Sequence, residues 1–156
     1  MRGSPTPQAM PSAARRTVLA FDFGLERIGV AVGEAAIAAA HPLAPVHARS
    51  AGGRLGAIAR LVEEWTPAEL VVGRPLGADG APHEMTRRAE RFARTLTARF
   101  RLPVALVDER YSSQEAERRA RAAFGARRAA ALARSRALDS LAAALLLEQY
   151  FGERRR

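Results

Sequence analysis

An acidic residue, Asp22, stands at the end of a short apolar run and just before a glycine-containing turn. The apolar residues 18–21 predict a buried strand and residues 28–32 a second one, joined as a hairpin by the turn at 24–27. A carboxylate at the end of a core strand is costly to bury without a partner. Asp22 is therefore either a turn-capping residue or part of a metal or phosphate site.

A second acidic position follows another apolar run. Residues 102–107 predict a core strand, and this strand leads directly into Asp108 and Glu109. Neighbouring side chains on a strand point to opposite faces of the sheet. Only one of these two acids can therefore share a site with Asp22.

A third acid accompanies the last predicted helix. Its apolar stripe has helical spacing and consists of Leu138, Leu141, Ala142, Leu145 and Leu146. One helical step is about 100 degrees, so Asp139 is expected at the margin of the stripe and near the sheet. The alternative is an acid that simply stabilises the helix N-terminus.

Three acids that converge would form a site for hard divalent cations. Clustered carboxylates repel one another, and oxygen ligands suit Mg²⁺ or Mn²⁺. Two such ions about 4 Å apart can activate water and stabilise the leaving oxygen of a phosphodiester. No histidine or cysteine is placed to act as base or nucleophile instead, so the pattern favours metal-dependent nuclease chemistry.

The elements around these acids predict an α/β domain. Their order is a hairpin, an edge strand within 35–46, a helix at 53–65, a strand at 69–73, a helix at 84–100, the strand at 102–107 and two further helices. Strand–helix–strand units imply parallel pairing with right-handed crossovers. We therefore expect a mixed central sheet, antiparallel in its first strands and then parallel, with helices on both faces. Ligands bind beyond the carboxyl ends of such strands, where Asp22 and Glu109 are expected.

Length and composition indicate one domain. The chain has 156 residues, of which 48% are hydrophobic, and no apolar run is long enough to cross a membrane. Residues 1–16 read as a disordered tail, 17–151 as the domain and 152–156 as a basic tail. The absence of cysteine and of a secretory segment favours the cytoplasm.

The net charge of +9 indicates a polyanionic partner such as nucleic acid. All 25 basic residues are arginine, so part of this charge can reflect a compositional bias. Placement beside the acids is more informative, and it selects Arg27, Arg110, Arg134 and Arg136 as nucleic-acid-binding residues. The alternative is that these arginines pair with the acids themselves. The glycine-containing loop 74–80 either approaches a ligand through its amides or is a plain connection.

Four segments together resemble a known family. FDFGLERIGVAVG, VVGRPLGADG, VDERYSS and ALDSLAAALLLEQYF are similar, in order, to the signature blocks of the YqgF (RuvX-like) family over nearly all of residues 17–151. The resemblance implies a ribonuclease H-like fold and nuclease activity on the 5′ end of pre-16S rRNA, with Holliday junction resolvase as an older assignment. It implies Asp22, Glu109 and Asp139 as catalytic residues and metal ligands, and it favours Glu109 over Asp108.

The chain departs from the family pattern at three arginines. Arg74 stands where the family often has an apolar residue, and Arg134 and Arg136 stand where it often has lysines, which keeps the charge but changes its geometry. The implied partner is nucleic acid, pre-rRNA first and branched DNA second, and ribosome association is compatible with it. Monomer and homodimer stay equal alternatives.

Two other classes of function compete with a nuclease. A non-catalytic RNA- or ribosome-binding factor with the same fold would follow if the acids lay too far apart to share an ion. The Asp22-Phe23-Gly24 pattern also occurs in actin-like ATPases. That fold forms its nucleotide cleft between two domains, and this chain is expected to form one.

Overall fold

The computed structural model describes residues 16–47, 50–77, 79–109 and 140–154, together with the single positions 118, 122, 125 and 127. Its elements in chain order are β1 (Thr17–Asp22), β2 (Ile28–Glu34), β3 (Ala39–Val46), α1 (Ala51–Trp65), β4 (Glu69–Arg74), α2 (Glu84–Phe100), β5 (Val104–Asp108) and α3 (Leu141–Arg154). The first of the two further helices predicted after residue 107 falls largely outside these described residues.

The five strands form one sheet in the order β3-β2-β1-β4-β5. Strand β2 pairs antiparallel with both β1 and β3, whereas β4 pairs parallel with both β1 and β5. This arrangement confirms the predicted mixed sheet. The carboxyl ends of β1, β4 and β5 consequently lie together at one edge of the sheet, which is where both strand-end acids are found.

Alternation along β1 divides the core into two layers. Leu19 and Phe21 pack with α1 and α2 on one face, while Val18 and Ala20 pack with α3 on the other. All four side chains are fully buried. Helices therefore cover both faces of the sheet, as predicted. Because successive strand residues point to alternate faces, the face of a residue near the site follows from the face of its neighbour in the strand.

Strand β3 differs from its prediction. It begins at Ala39, because residues 35–38 form a turn with Ala38 in the left-handed region, and it runs through Pro42 and Pro45. Proline lacks an N–H donor, but an edge strand needs donors on one side only. The register of β2 against β3 shifts between Ile28 and Val30.

The helices on the α1 and α2 face agree closely with the sequence. Helix α2 has the predicted bounds, and α1 begins two residues earlier than predicted, where Ser50 caps it by accepting a hydrogen bond from the Gly53 N–H at 3.0 Å. Helix α1 ends at Thr66, which adopts the left-handed conformation just before Pro67. Within the described residues, no helix is both long and apolar enough to cross a membrane.

Helix α3 is buried over a wider surface than its predicted stripe. Leu141, Leu145 and Leu146 are buried as expected, but Ala142 is only half-buried. The further buried residues are Ala143, Ala144, Leu147, Tyr150 and Phe151.

The C-terminal end of α3 is fixed by contacts with β4. The helix continues to Arg154, whose guanidinium bonds Glu69 at 3.1 Å and the Tyr150 hydroxyl at 2.7 Å. The hydroxyl in turn donates to Glu69 at 2.8 Å. This network ties α3 to the start of β4, at the end of the sheet opposite the acids.

Candidate active site at the carboxyl ends of the parallel strands

Asp22 is the last residue of β1 and lies opposite Gly29 of β2. Because Phe21 packs on the α1 and α2 face, alternation directs Asp22 toward the α3 face. The side chain is half-buried and forms a hydrogen bond with the carboxyl group of Glu109. The structure thus brings two of the three predicted acids into direct contact.

Glu109 is held in place from both its backbone and its side chain. Its N–H donates to the Arg74 carbonyl at 3.1 Å, which extends the pairing of β4 with β5 by one residue. Its carboxyl group lies directly over Gly73, where a Cβ atom would overlap Oε1 and would come within 2.9 Å of Leu146 Cδ2. The missing side chain at Gly73 therefore makes the room that the Glu109 carboxyl group occupies.

Asp108 belongs to a different contact. It accepts a hydrogen bond from the Arg74 guanidinium at 3.4 Å, and Arg74 also bonds Glu90 of α2 at 3.1 Å. These residues lie on the α1 and α2 side, whereas Val107 packs on the α3 side. Asp108 thus faces away from Asp22, and Arg74 serves as its ion-pair partner.

Burial and the neighbouring carboxylate raise the pKa of Glu109 to about 9. Removal of the group from water is the largest cause, and the hydrogen bond to Asp22 and its negative charge add to it. Without a cation, the carboxyl group of Glu109 therefore keeps its proton at neutral pH. A cation that bound here would have to displace this proton.

The raised pKa predicts how stability depends on pH when divalent cations are chelated. Between the unfolded pKa near 4.5 and the folded pKa near 9, the folded state holds a proton that the unfolded state has lost. The contribution of Glu109 is therefore fully present below pH 4.5 and falls as pH rises toward 9. Glu109→Gln should flatten this fall in melting temperature, whereas Glu64→Gln, an exposed change on α1, should not. If the melting temperatures of the parent and Glu109→Gln depended on pH in the same way, the raised pKa of Glu109 would be contradicted.

The third predicted acid, Asp139, lies outside the described residues, but its neighbour Ser140 does not. Ser140 is fully buried and its hydroxyl accepts a hydrogen bond from the Val30 N–H at 3.0 Å. Val30 is paired with Phe21, one register position from the pair of Asp22 with Gly29. The chain therefore enters α3 beside the end of β1, and the place of Asp139 stays a prediction.

The predicted nucleic-acid-binding arginines are only partly described. Arg27 is exposed in the turn between β1 and β2. Arg110, Arg134 and Arg136 lie outside the described residues, so their role stays a prediction. Other arginines have described contacts at this end of the sheet: Arg74 pairs with Asp108, and Arg54 lies over the ring of Phe23.

The glycine loop after β4 uses its amides internally. The Gly77 N–H donates to the Ala81 carbonyl at 2.9 Å, and the Gly80 N–H donates to the Gly77 carbonyl at 2.8 Å. The buried hydroxyl of Thr86 bonds the Pro75 carbonyl and so fastens the loop to α2. These bonds favour the plain connection over a loop that offers its glycine amides to a ligand.

The donor set at the acid pair fits Mg²⁺ or Mn²⁺. Two carboxyl groups in contact offer only oxygen ligands, and Glu109 holds a proton that a cation could replace. Among the described residues, no group of three or more His, Cys, Asp or Glu side chains could hold a metal ion. Asp139, the third acid expected from the sequence, lies outside the described residues.

Sequence reasoning missed Gly73. It lies at the end of a buried apolar strand, and a glycine at such a position signals that another group approaches the backbone closely. The sequence does not identify that group, because Glu109 is brought over Gly73 by the pairing of β4 with β5.

Comparison with solved structures shows a ribonuclease H-like fold. RuvC from Thermus thermophilus in complex with a Holliday junction substrate has a TM-score of 0.53 at 19% identity, covering 90% of this chain and 96% of that one. The Holliday junction resolvase of fowlpox virus has a TM-score of 0.56 at 12% identity, covering 90% and 99%. These similarities extend over almost the whole of each structure and concern the fold alone.

Sequence comparison finds much nearer relatives. A protein of Dechloromonas aromatica named "Putative pre-16S rRNA nuclease" is 50% identical over 86% of this chain and 90% of its own length. A protein of Paraburkholderia phytofirmans with the same name is 48% identical over 91% and 92%. The family model RuvX, described as Holliday junction resolvase, matches residues 16–153. With a family match over nearly the entire chain and relatives at this level of identity, the chain belongs to the RuvX family.

Proposed function

We propose that the protein is a metal-dependent endonuclease that hydrolyses phosphodiester bonds in structured RNA, at the 5′ end of pre-16S rRNA in the cytoplasm. The observation that carries the proposal is the contact between Asp22 and Glu109 at the shared carboxyl edge of β1, β4 and β5. Taking the Glu109 carboxyl group out of water and placing it beside another carboxylate is unfavourable for stability, and such sites are often functional. The names of the near relatives supply the RNA substrate.

Asp22, Glu109 and Asp139 are the proposed metal ligands and catalytic residues. When bound, Mg²⁺ or Mn²⁺ would supply an activated water and charge stabilisation at the phosphate. The protein's own part is to hold the carboxylates at a fixed separation and to keep Glu109 dehydrated over Gly73. The buried Ser140 would fix the position from which Asp139 reaches the pair.

The arginines are proposed to hold the substrate backbone. Arg27 lies in the turn that follows Asp22, and Arg110 follows Glu109 directly. Arg134 and Arg136 precede Asp139 and would extend the same path. Guanidinium groups suit this role because they bind phosphate oxygens in a bidentate manner. In the cell the partner would be a pre-ribosomal particle.

Branched DNA is the second candidate substrate. The family is described as Holliday junction resolvase, and the fold resembles that of RuvC solved with a Holliday junction. The same carboxylate pair would serve either substrate, because phosphodiester hydrolysis is common to both. A non-catalytic RNA-binding factor is the alternative of another class, and activity assays separate it from both nucleases.

A cleavage assay that offers both substrates in parallel tests the proposal. The expected result is cutting of a pre-16S rRNA 5′ fragment in Mg²⁺ or Mn²⁺, loss of cutting in EDTA and recovery when the ion is restored. A four-way DNA junction should be cut more slowly. Faster cutting of the junction would reassign the substrate, and failure to cut either nucleic acid would favour the binding factor.

A further inference from the structure

Two grooves are lined by residues next to the acid pair in the chain, one by Asp108 and the other by Phe23, and their charges differ. The groove beside β5 has a volume of about 410 Å³ and is lined by three acids, Glu90, Asp108 and Glu153, with Arg74 already paired to two of them. The groove between α1 and α2 has a volume of about 280 Å³ and includes three arginines and no acid. A polyanion would be repelled from the first groove and attracted to the second.

The second groove, which we call the aromatic groove, begins one residue from Asp22. Its lining includes Phe23, Leu25, Arg54, Arg88, Arg91 and Phe92. Phe23 follows Asp22 directly, and its ring packs on Phe92 with centroids 5.1 Å apart. Alternation thus places the carboxylate of Asp22 on the α3 side and the ring of Phe23 on the other side of the same strand end.

The aromatic groove offers a stacking platform rimmed by cations. Phe23 is half-buried, and the Arg54 guanidinium lies 5.9 Å from the centroid of its ring. Leu25 extends the apolar surface and is 52% exposed. Arg91 is exposed, and Arg88 is held by Glu84 at 2.8 Å. Bases stack on aromatic rings and on guanidinium planes, while arginines also bind phosphates.

Arg54 carries a hydrogen-bond donor that a ligand could satisfy. Within the part of the chain that the structure describes, its Nε–H is buried and has no hydrogen-bond partner. A buried donor without an acceptor is unfavourable. Reorientation of this guanidinium onto a base or phosphate would therefore break no hydrogen bond of that N–H and could provide the acceptor it lacks.

From these observations we propose that the aromatic groove binds one unpaired nucleotide of the substrate strand, next to the phosphate held at Asp22 and Glu109. The inference rests on the proposed nuclease function and adds a specificity site to it. The groove volume is just below the roughly 300 Å³ at which pockets for drug-sized ligands begin, which suits one base and not a base pair. The substrate strand would cross the sheet edge at the end of β1, so cleavage requires an unpaired position there.

Binding measured in EDTA tests this inference apart from cleavage. The probes are a fluorescent single-stranded oligoribonucleotide and a blunt-ended RNA duplex of the same sequence, at one fixed salt concentration. Loss of a stacking side chain weakens binding by about 5- to 150-fold per base. Phe23→Leu keeps apolar volume but removes the ring, so we expect about tenfold weaker binding of the single strand and unchanged binding of the duplex. Phe23→Tyr should bind like the parent.

Matched arginine pairs provide the second measurement and remain decisive if Phe23→Leu fails to fold. Arg54→Gln in the groove is compared with Arg60→Gln elsewhere on α1, and Arg91→Gln with Arg94→Gln on α2; Arg60 and Arg94 are both exposed and outside the groove. Within each pair, both variants lose one positive charge. The groove member should weaken single-strand binding several times more than its control.

Two results would overturn the inference: equal losses within each arginine pair, or equal losses for single strand and duplex in the folded Phe23→Leu variant. Failure of the proposed nuclease function can be distinguished from failure of the groove inference. A protein whose groove selects single strands but which cuts no RNA would retain the groove and lose the nuclease assignment. A protein that still cuts RNA at the parent rate after the groove is disabled would retain the nuclease assignment and lose the groove inference.

Discussion

Asp22→Asn is expected to reduce RNA cleavage by about a thousandfold or more while the fold and most of the nucleic-acid binding persist. Asparagine keeps the size of the side chain but removes the negative charge that would hold a divalent cation against Glu109. Loss of that charge stabilisation is worth several kcal/mol in the transition state, and about 1.4 kcal/mol corresponds to a factor of ten in rate. Binding should change little, because arginines supply the phosphate contacts.

Asp108→Asn is the matched control. Asp108 is also an acid at the end of a strand, but it faces the other side of the sheet and pairs with Arg74. Its replacement should leave cleavage within about tenfold of the parent, a much smaller effect than the thousandfold loss expected of a metal ligand. Glu109→Gln and Asp139→Asn should resemble Asp22→Asn, and combining them should add little because the acids act as one unit. If Asp22→Asn cut at the parent rate in saturating Mg²⁺ or Mn²⁺, the binding-factor interpretation would replace the nuclease.

The sequence predicted the sheet and the pairing of its strand ends because those features depend on local periodicity. Apolar runs of strand length, separated by amphipathic helices, require parallel pairing and place the strand ends at one edge. This places Asp22 and Glu109 near each other before any contact is known. Strand alternation also predicts that Asp108 and Glu109 point to opposite faces of the sheet. In the structure, Asp108 pairs with Arg74 and Glu109 contacts Asp22.

Features that depend on register between distant segments could not be predicted. Glu109 lies over Gly73 only because Arg74 pairs with Asp108 across β4 and β5. Ser140 bonds Val30 across 110 residues, beside the register shift of β2 against β3. From the sequence, Phe23 is noted only as part of an Asp-Phe-Gly pattern. The groove beside its ring is formed by α1 and α2, and this packing could not be predicted.

Gly73→Ala is expected to disable the site without touching any proposed catalytic residue. The added Cβ would overlap Oε1 of Glu109 and would lie 2.9 Å from Leu146 Cδ2, so the Glu109 carboxyl group must move away from its present position. A displacement of about 1 Å in a catalytic group can lower the rate by about a hundredfold. Both neighbouring atoms belong to the far ends of flexible side chains, so the protein should still fold. Cleavage rate and melting temperature, measured on the same preparation, separate these two effects.

The control is Gly56→Ala on α1, where an added Cβ would contact nothing within 4 Å. Alanine in a helix interior is favoured over glycine by about 0.5–1 kcal/mol, so this variant should melt slightly higher and cut at the parent rate. The raised pKa of Glu109 offers a second readout, because a displaced carboxyl group regains water and loses its hydrogen bond to Asp22. Gly73→Ala should therefore flatten the fall of melting temperature with pH in EDTA, as is also expected of Glu109→Gln. Full activity in Gly73→Ala would show that the position of the Glu109 carboxyl over Gly73 is not required for cleavage.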